Sequence, residues 1–495
     1  MTFVAKLGAV MDDRINPITV KELRQAVQSH FVTVTLLIFL LVEFLAMMVA
    51  VLFTQPDLSL SANAGSQIFL TLDFIMLAIC LTFVPIYAGI RLAAERSEQN
   101  VDLLFITTIK PAAVIRGKAL TAMAVALLIF SVCLPFMVMT YLLRGIDLPA
   151  IYAVLLMDFA AVALGVCGAL FIAAMPLRWP TKVFLAIALL AVMSGVFEAC
   201  LNSAGYWIAS AITMTWHFWI VGLLELTLAA VLGILLLLLA QAALTPAAAN
   251  RARSIRIYGA ILWAITGAAC VALARIRVHG GASQLLGLWA GWTVALLAAS
   301  LVASGCERDQ WGPRLQQSIP RSVWLRPWWL IFSSGSLGGL LWTGLLVAGT
   351  LAMLWFGMLP RVGARSATML QIIADIALLC VILAYVLTGT LIRDVIFRRK
   401  GGTMLVGTVA VLLMAVGSLT PMLICFFHNP QGFLVTAPMP WRVLNPLAAL
   451  APSSQRSRYP IFAIVWCSVM ILLNMPWAWR QVRSCHPPAG GVEPG

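Results

Sequence analysis

Six acidic residues stand inside long apolar runs: Glu43, Asp73, Asp158, Glu198, Glu225 and Asp375. No Lys or Arg lies near the middle of any of these runs. A carboxyl group in hydrocarbon is costly, so each is expected to face a bundle interior or a water-filled cavity. There it could line an acidic cavity or relay protons. The plainer alternative is a protonated carboxyl, or one bonded to Ser, Thr or backbone within the bundle. Little else on the chain carries recognisable chemistry. The five His (His30, His217, His279, His428, His486) are far apart and show no metal-binding spacing. No GxSxG nucleophile elbow occurs. Gly117-Lys118 is followed by Ala119 and lacks the upstream glycine of a P-loop, so any ATP and Mg must be held by a partner. The ten Cys are dispersed, mostly within apolar runs and without a CxxC pair, and are read as small apolar filler. No cofactor is expected in this chain.

The elements that must position these groups are membrane helices. Hydrophobic residues make up 62% of 495 and charged residues 10%, against roughly 25% charged in soluble domains. The mean hydropathy is +0.99. The first apolar run, 31–53, follows a charged lead and exceeds the ~7 to 15 residues of a signal-peptide core, so it is expected to be the first span. The net charge of +14 sits in short loops between apolar runs, which marks membrane topology and not nucleic-acid binding. The expected class is an all-α polytopic membrane protein with about 12 transmembrane helices. Six spans read as 31–53, 68–90, 119–142, 150–175, 182–201 and 217–240. Six weaker ones follow at 257–274, 285–304, 330–356, 368–392, 403–427 and 459–479. Alternating the loops leaves only Arg144 on the outer side of the first six spans. In the second group seven basic residues fall outside (Arg275, Arg277, Arg361, Arg365, Arg442, Arg456, Arg458). The Pro-rich stretch 428–458 is expected to be an outer loop containing a re-entrant or surface helix. Trp324, Trp328, Trp329, Trp441, Trp477 and Trp479 fit an interfacial belt, and Gly335 to Gly339 fits close helix packing.

Two polar segments interrupt this pattern. In the lead, Asn16 can cap and Pro17 can open an amphipathic helix, with Val20, Leu23 and Val27 opposite Lys21, Arg24 and Gln28. Such a helix lies in the membrane interface. The second segment, 91–118, reads RLAAERSEQNVDLLFITTIKPAAVIRGK. Its basic residues Arg91, Arg96, Lys110, Arg116 and Lys118 place it on the cytoplasmic side. Val101 to Ile106 form an apolar ridge around Asp102, and Pro111 stands where a new helix can begin.

These segments resemble the two marker regions of ABC transporter permeases of the type-2 exporter class. Glu95-Arg96, Asp102-Leu103-Leu104, Thr107, Pro111 and the Gly117-Lys118 ending are similar to that family's cytoplasmic coupling loop. Gln99-Asn100 stands where the family has Gly-Thr, and Lys110-Pro111 where it has Ser-Pro. NPITVKELRQ, with Asn16, Pro17, Lys21, Glu22, Leu23 and Arg24, resembles the segment opening many such permeases, an elbow helix on the inner membrane face. The resemblance covers about the first half of the chain. It implies a six-helix permease core, a coupling loop seated on a separate cytosolic ATPase, and a second core supplied by a homodimer or a sister permease. Membrane lipids are the other expected partner.

The expected organisation is therefore a cytoplasmic lead and elbow at 1–30, a permease core at 31–240 containing the loop 91–118, and a linker at 241–256. A second membrane bundle at 257–479 and a tail at 480–495 complete it, with both termini cytoplasmic in a cell inner (plasma) membrane. Neither marker recurs past residue 245, so no tandem duplication is expected. Two other functions suit the composition: an ion-coupled secondary transporter, and a non-transporting membrane scaffold or lipid- or glycan-acting enzyme. Against the secondary transporter, the loop between the second and third spans lacks the GxxxDRxGRR pattern and no inverted repeat is evident.

Overall fold

A computed structural model describes residues 17–53, 64–97, 111–142, 146–209, 216–246, 249–275, 282–307, 311–358, 365–396, 404–428 and 459–485. Asn16, Asp102, Leu103, Leu104 and Thr107, the apolar ridge 101–106 and the re-entrant segment expected within 428–458 lie outside the described residues, His428 excepted as the end of a helix. The described secondary structure is helical throughout. Ten helices are long and apolar enough to cross a membrane, and two shorter apolar stretches, Trp289–Gly305 and Leu405–Thr420, accompany them. The chain is a multi-pass membrane protein. It divides into two compact units, Met1–Pro246 and Ala247–Gly495.

In the first unit a short helix, α1 (Pro17–Val27), precedes six long ones: α2 (His30–Phe53), α3 (Ala64–Ser97), α4 (Pro111–Leu142), α5 (Leu148–Ala174), α6 (Trp179–Ala209) and α7 (Trp216–Leu244). Proline opens several of them, at the first position of α1 and α4 and the second of α5 and α6, where its missing N–H is one the helix start leaves unused anyway. Lys182, early in α6, donates to the Ala173 carbonyl at the end of α5 at 3.3 Å, a cation at a helix C-terminus. The core is built on α3, α4 and α5, where Phe69, Leu72, Met76, Ile115, Ile129, Ile151 and Leu170 are almost wholly buried. Small residues let α3 and α5 close up: a methyl placed on Gly165 would meet Pro85 at 3.0 Å, and one on Gly89 would meet Ala169 at 3.5 Å. Helices α2 and α6 are peripheral and present Leu37, Ile38, Leu41, Phe44, Phe184 and Ile187 outward.

The second unit contains α8 (Arg253–Arg275), α9 (Ala282–Gly305), the short α10 (Pro313–Gln317) and α11 (Arg326–Phe332), then α12 (Ser336–Met358), α13 (Arg365–Val395), α14 (Met404–His428) and α15 (Tyr459–Ser484). Polar pairs join its long helices. Ser300 and Thr343 share a hydrogen bond of 2.6 Å between α9 and α12. The Trp263 indole donates to Thr350 at 2.9 Å. Thr390 on α13 donates to Asn474 on α15 at 2.7 Å, and the Asn474 amide donates to the Leu387 carbonyl at 3.1 Å.

One expected span is corrected: 330–356 is not continuous but is broken at 333–335 between α11 and α12. The break falls on Ser333-Ser334-Gly335, a small polar turn-forming run that the expected span read through. The freed backbone groups are satisfied by side chains distant in sequence, described below.

Part of the helix packing is common to the two units. Numbering the long helices of each unit from first to sixth, the first packs on the second and third, the second on the third, fourth and fifth, and the fourth on the fifth and sixth, in both units. A short helix adds to each: α1 lies on α4 and α11 on α12, the third long helix in both cases.

Candidate functional site

Lys118, on the first turns of α4, is 4% exposed and holds the basic end of the first unit together. Its ammonium donates to Glu22 Oε1 on α1 at 3.0 Å and to Glu95 Oε1 near the end of α3 at 2.8 Å. Arg91, one turn before Glu95, reaches Glu22 Oε2 at 3.9 Å and stacks over the Tyr87 ring at 5.6 Å. Buried Lys is tolerated only when paired and hydrogen-bonded, and here two carboxylates supply that. Burial works to raise the Glu22 carboxyl, but Lys118 and then Arg91 outweigh it and hold it below the ordinary glutamate value.

The local sequence explains how this cluster forms. Pro111 opens α4 eight residues ahead of the apolar run at 119, so Lys118 lies inside the helix, near its start, with its chain directed at α1. On α1 the buried positions are Glu22 and Ala26, four residues apart on one face. Leu23 is 37% exposed, and Lys21 and Arg24 are exposed beside it. Ala26 packs with Val32 and Val125, sealing the cluster from the membrane side. Gly117, also buried, accepts a bond from Thr121 through its carbonyl at 3.0 Å. Thus Glu22, Glu95 and Lys118 are brought to one place, the latter two on the helices that flank segment 98–110, while Pro111 opens the second of those helices and Gly117 precedes Lys118 on it.

The intramembrane acids divide. Glu43 on α2, Asp73 on α3 and Asp158 on α5 are each at most 1% exposed and converge within the first unit. The Asp73 and Asp158 carboxyls face each other within hydrogen-bonding reach, and Cys133 and Cys200 adjoin Glu43 and Asp158. None of their oxygens accepts a bond from a nitrogen or hydroxyl donor. Glu198 and Glu225 do not join them. Both lie on exposed faces, because α6 and α7 bury only a narrow stripe against the rest of the unit. Asp375 is buried in the second unit on α13. Among the described residues no group of His, Cys, Asp and Glu is arranged to hold a metal ion.

The second unit has its own polar hub, which sequence reading missed. Arg256, at the start of α8 and 4% exposed, binds both oxygens of Glu307 through Nη2 at 2.6 and 2.7 Å. Through Nη1 it donates to the carbonyls of Ile331, at 2.9 Å, and Ser333. Glu307 accepts the Gly335 N–H at 2.6 Å. Burial pushes the Glu307 carboxyl up, against the opposing pull of Arg256 and the Gly335 amide. Asn250 donates to the Phe332 carbonyl at 3.1 Å and accepts the Ser334 N–H at 3.0 Å. Gln481 on α15 accepts the Leu337 N–H at 3.3 Å and donates to Ser336 at 3.1 Å. These bonds satisfy the broken turn between α11 and α12. The available signal was Glu307-Arg308, the same dipeptide as Glu95-Arg96 and again at the end of a unit's second long helix. No protein-family model, curated protein or solved structure matches this chain.

Proposed function

We propose that the chain is the membrane-spanning permease of an ATP-driven ABC exporter of the type-2 class, in the cell inner membrane with both termini cytoplasmic. Hydrolysis of ATP by a separate cytosolic ATPase is transmitted to the helices through segment 98–110. The observation that carries this reading is the Lys118 cluster. The resemblance selects Glu22, Glu95 and Lys118 as members of two separate sequence markers, and in the fold the three side chains meet. A docking segment whose two flanks are tied to each other and to α1 moves α3, α4 and α1 as one body when its tip is pushed. That is the mechanical property a coupling loop needs. The chain's part is mechanical, and ATP and Mg belong to the partner.

The test replaces Leu103 and Leu104 by Asp. Each large apolar side chain buried on a partner contributes roughly 1.5 to 3 kcal/mol, and unpaired charge in that contact opposes association. The variant should insert normally, lose co-purifying ATPase and lose transport. A variant that retains stoichiometric ATPase would sink the assignment of this loop. A second reading, ion-coupled transport, is favoured by the buried carboxyls of Glu43, Asp73 and Asp158, which accept no bond from a nitrogen or hydroxyl donor. The same transport assay with the proton gradient collapsed by an uncoupler separates the two. ATP-driven transport persists under the first reading and stops under the second.

A further inference from the structure

The second unit shares several of the features that support a coupling role in the first. It differs in that its third long helix lacks the close packing on the fourth and sixth seen in the first unit, and the buried cation comes from the third long helix in one unit and the first in the other. Its first long helix packs on the second and third, the second on the fourth and fifth, and the fourth on the sixth, as in the first unit. At the end of the second long helix each unit carries a Glu-Arg pair, Glu95-Arg96 and Glu307-Arg308. In each the Glu receives a buried cation from another element, Lys118 for Glu95 and Arg256 for Glu307. Both cations are 4% exposed. On the fourth long helix each unit buries an aspartate, Asp158 in the first and Asp375 in the second. A six-helix membrane bundle needs none of these coincidences to fold, because lipid-facing helices require only apolar residues and small-residue contacts.

Between the second and third long helices, where the first unit has segment 98–110, the second unit has residues 306–335. This segment is anchored at its start by Glu307, at its end by Ser333 to Gly335, and to Arg256 from both. Its middle projects. Val323, Trp324, Leu325 and Trp328 are 67%, 89%, 56% and 57% exposed, flanked by Arg321 and Arg326. Resting on the function proposed above, we infer that the second unit is a second permease core. Residues 306–335 are then its ATPase-docking segment, and one chain engages both subunits of an ATPase dimer without a second permease chain. The occupant of 306–335 is a second copy of the nucleotide-binding subunit that occupies 98–110.

The test uses full-length chain carrying either of two affinity tags, co-expressed in the same cells, with azido-ATP photolabelling to mark nucleotide-binding subunits. Purified complexes should carry one tag only and two labelled subunits per chain, as read by native mass spectrometry. Complexes with both tags and two labelled subunits would overturn the inference while leaving the proposed function standing. Absence of any labelled subunit would instead remove the function itself, and this inference with it. A second arm places a photo-cross-linking phenylalanine derivative at Leu103 or at Trp324, the latter exposed enough that its replacement leaves the packing alone. Both should cross-link to the azido-ATP-labelled polypeptide. Adducts at position 324 to lipid alone would assign 306–335 to the membrane surface and overturn the docking assignment.

Discussion

Lys118 shows how much one buried ionisable side chain can decide. Removing it leaves Glu22, 6% exposed, with only the longer 3.9 Å contact to Arg91, and breaking a buried pair in this way costs up to about 3–5 kcal/mol. Lys118→Met should therefore be strongly destabilising, and Lys118→Met with Glu22→Gln should recover most of the loss, as followed by thermal unfolding in detergent micelles. Additive losses would mean the pair does not act as a unit. The same cluster gives a pH signature. Glu22 is held below its ordinary value, so its folded state binds fewer protons than the unfolded chain. Its contribution is complete above about pH 4.3 and is lost as pH falls through the depressed value. Glu22→Gln should lack that acid-side loss. Sequence picked out Glu22, Glu95 and Lys118 by their resemblance but not their mutual pairing, because 96 positions separate Lys118 from Glu22. Arg256 passed as an ordinary basic loop residue, since nothing local in sequence distinguishes a solvated arginine from one closing a turn some 75 residues away.

At the scale of elements, hydrophobic runs located the long helices because a membrane span must be apolar along its length. They misjudged only where helices project beyond the apolar run or break within it. Helix α4 starts at Pro111, where the sequence allows a helix to begin, and so runs eight residues ahead of the apolar run, with Lys118 paired inside the fold. The 333–335 break falls on Ser-Ser-Gly, a turn composition the expected span read through, and Arg256, Asn250 and Gln481 supply hydrogen bonds to it and to the helix start beside it. Two glycines near such junctions should differ in tolerance. A methyl on Gly168 would approach Leu189 Cδ1 at 2.9 Å, the movable end of a side chain, whereas one on Gly338 would run into the Leu330 carbonyl, fixed backbone at the end of α11. Gly168→Ala should cost little. Gly338→Ala should cost about 1–3 kcal/mol, the usual range for overpacking, and lower the thermal midpoint. Equal effects would show that α11 can slide relative to α12.

At the scale of the whole molecule, composition was enough to establish a multi-pass helical membrane protein, and the linker expected at 241–256 contains the boundary between units at Pro246. The shared plan of the two units was not legible. The packing pairs common to both units join helices distant in sequence, which no hydropathy window weighs. Its consequence for topology is testable. In each unit the Glu-Arg pair closes the second long helix, and an even number of long helices separates Glu95 from Glu307. If all the long helices cross, both pairs emerge on one side of the membrane, and the basic residues around 91–118 make that side cytoplasmic. A membrane-impermeant thiol reagent should therefore modify Ser97→Cys and Ser322→Cys only from the cytoplasmic side, and Ala62→Cys and Ala282→Cys only from outside. The free cysteines of the described fold are buried or half-buried, which keeps the background low. Opposite sidedness of 97 and 322 would mean that one long helix between them, such as α8 with its basic start at Arg253 and Arg256, lies along the membrane surface. The two units would then be inverted relatives, and a second cytoplasmic docking segment at 306–335 would be ruled out.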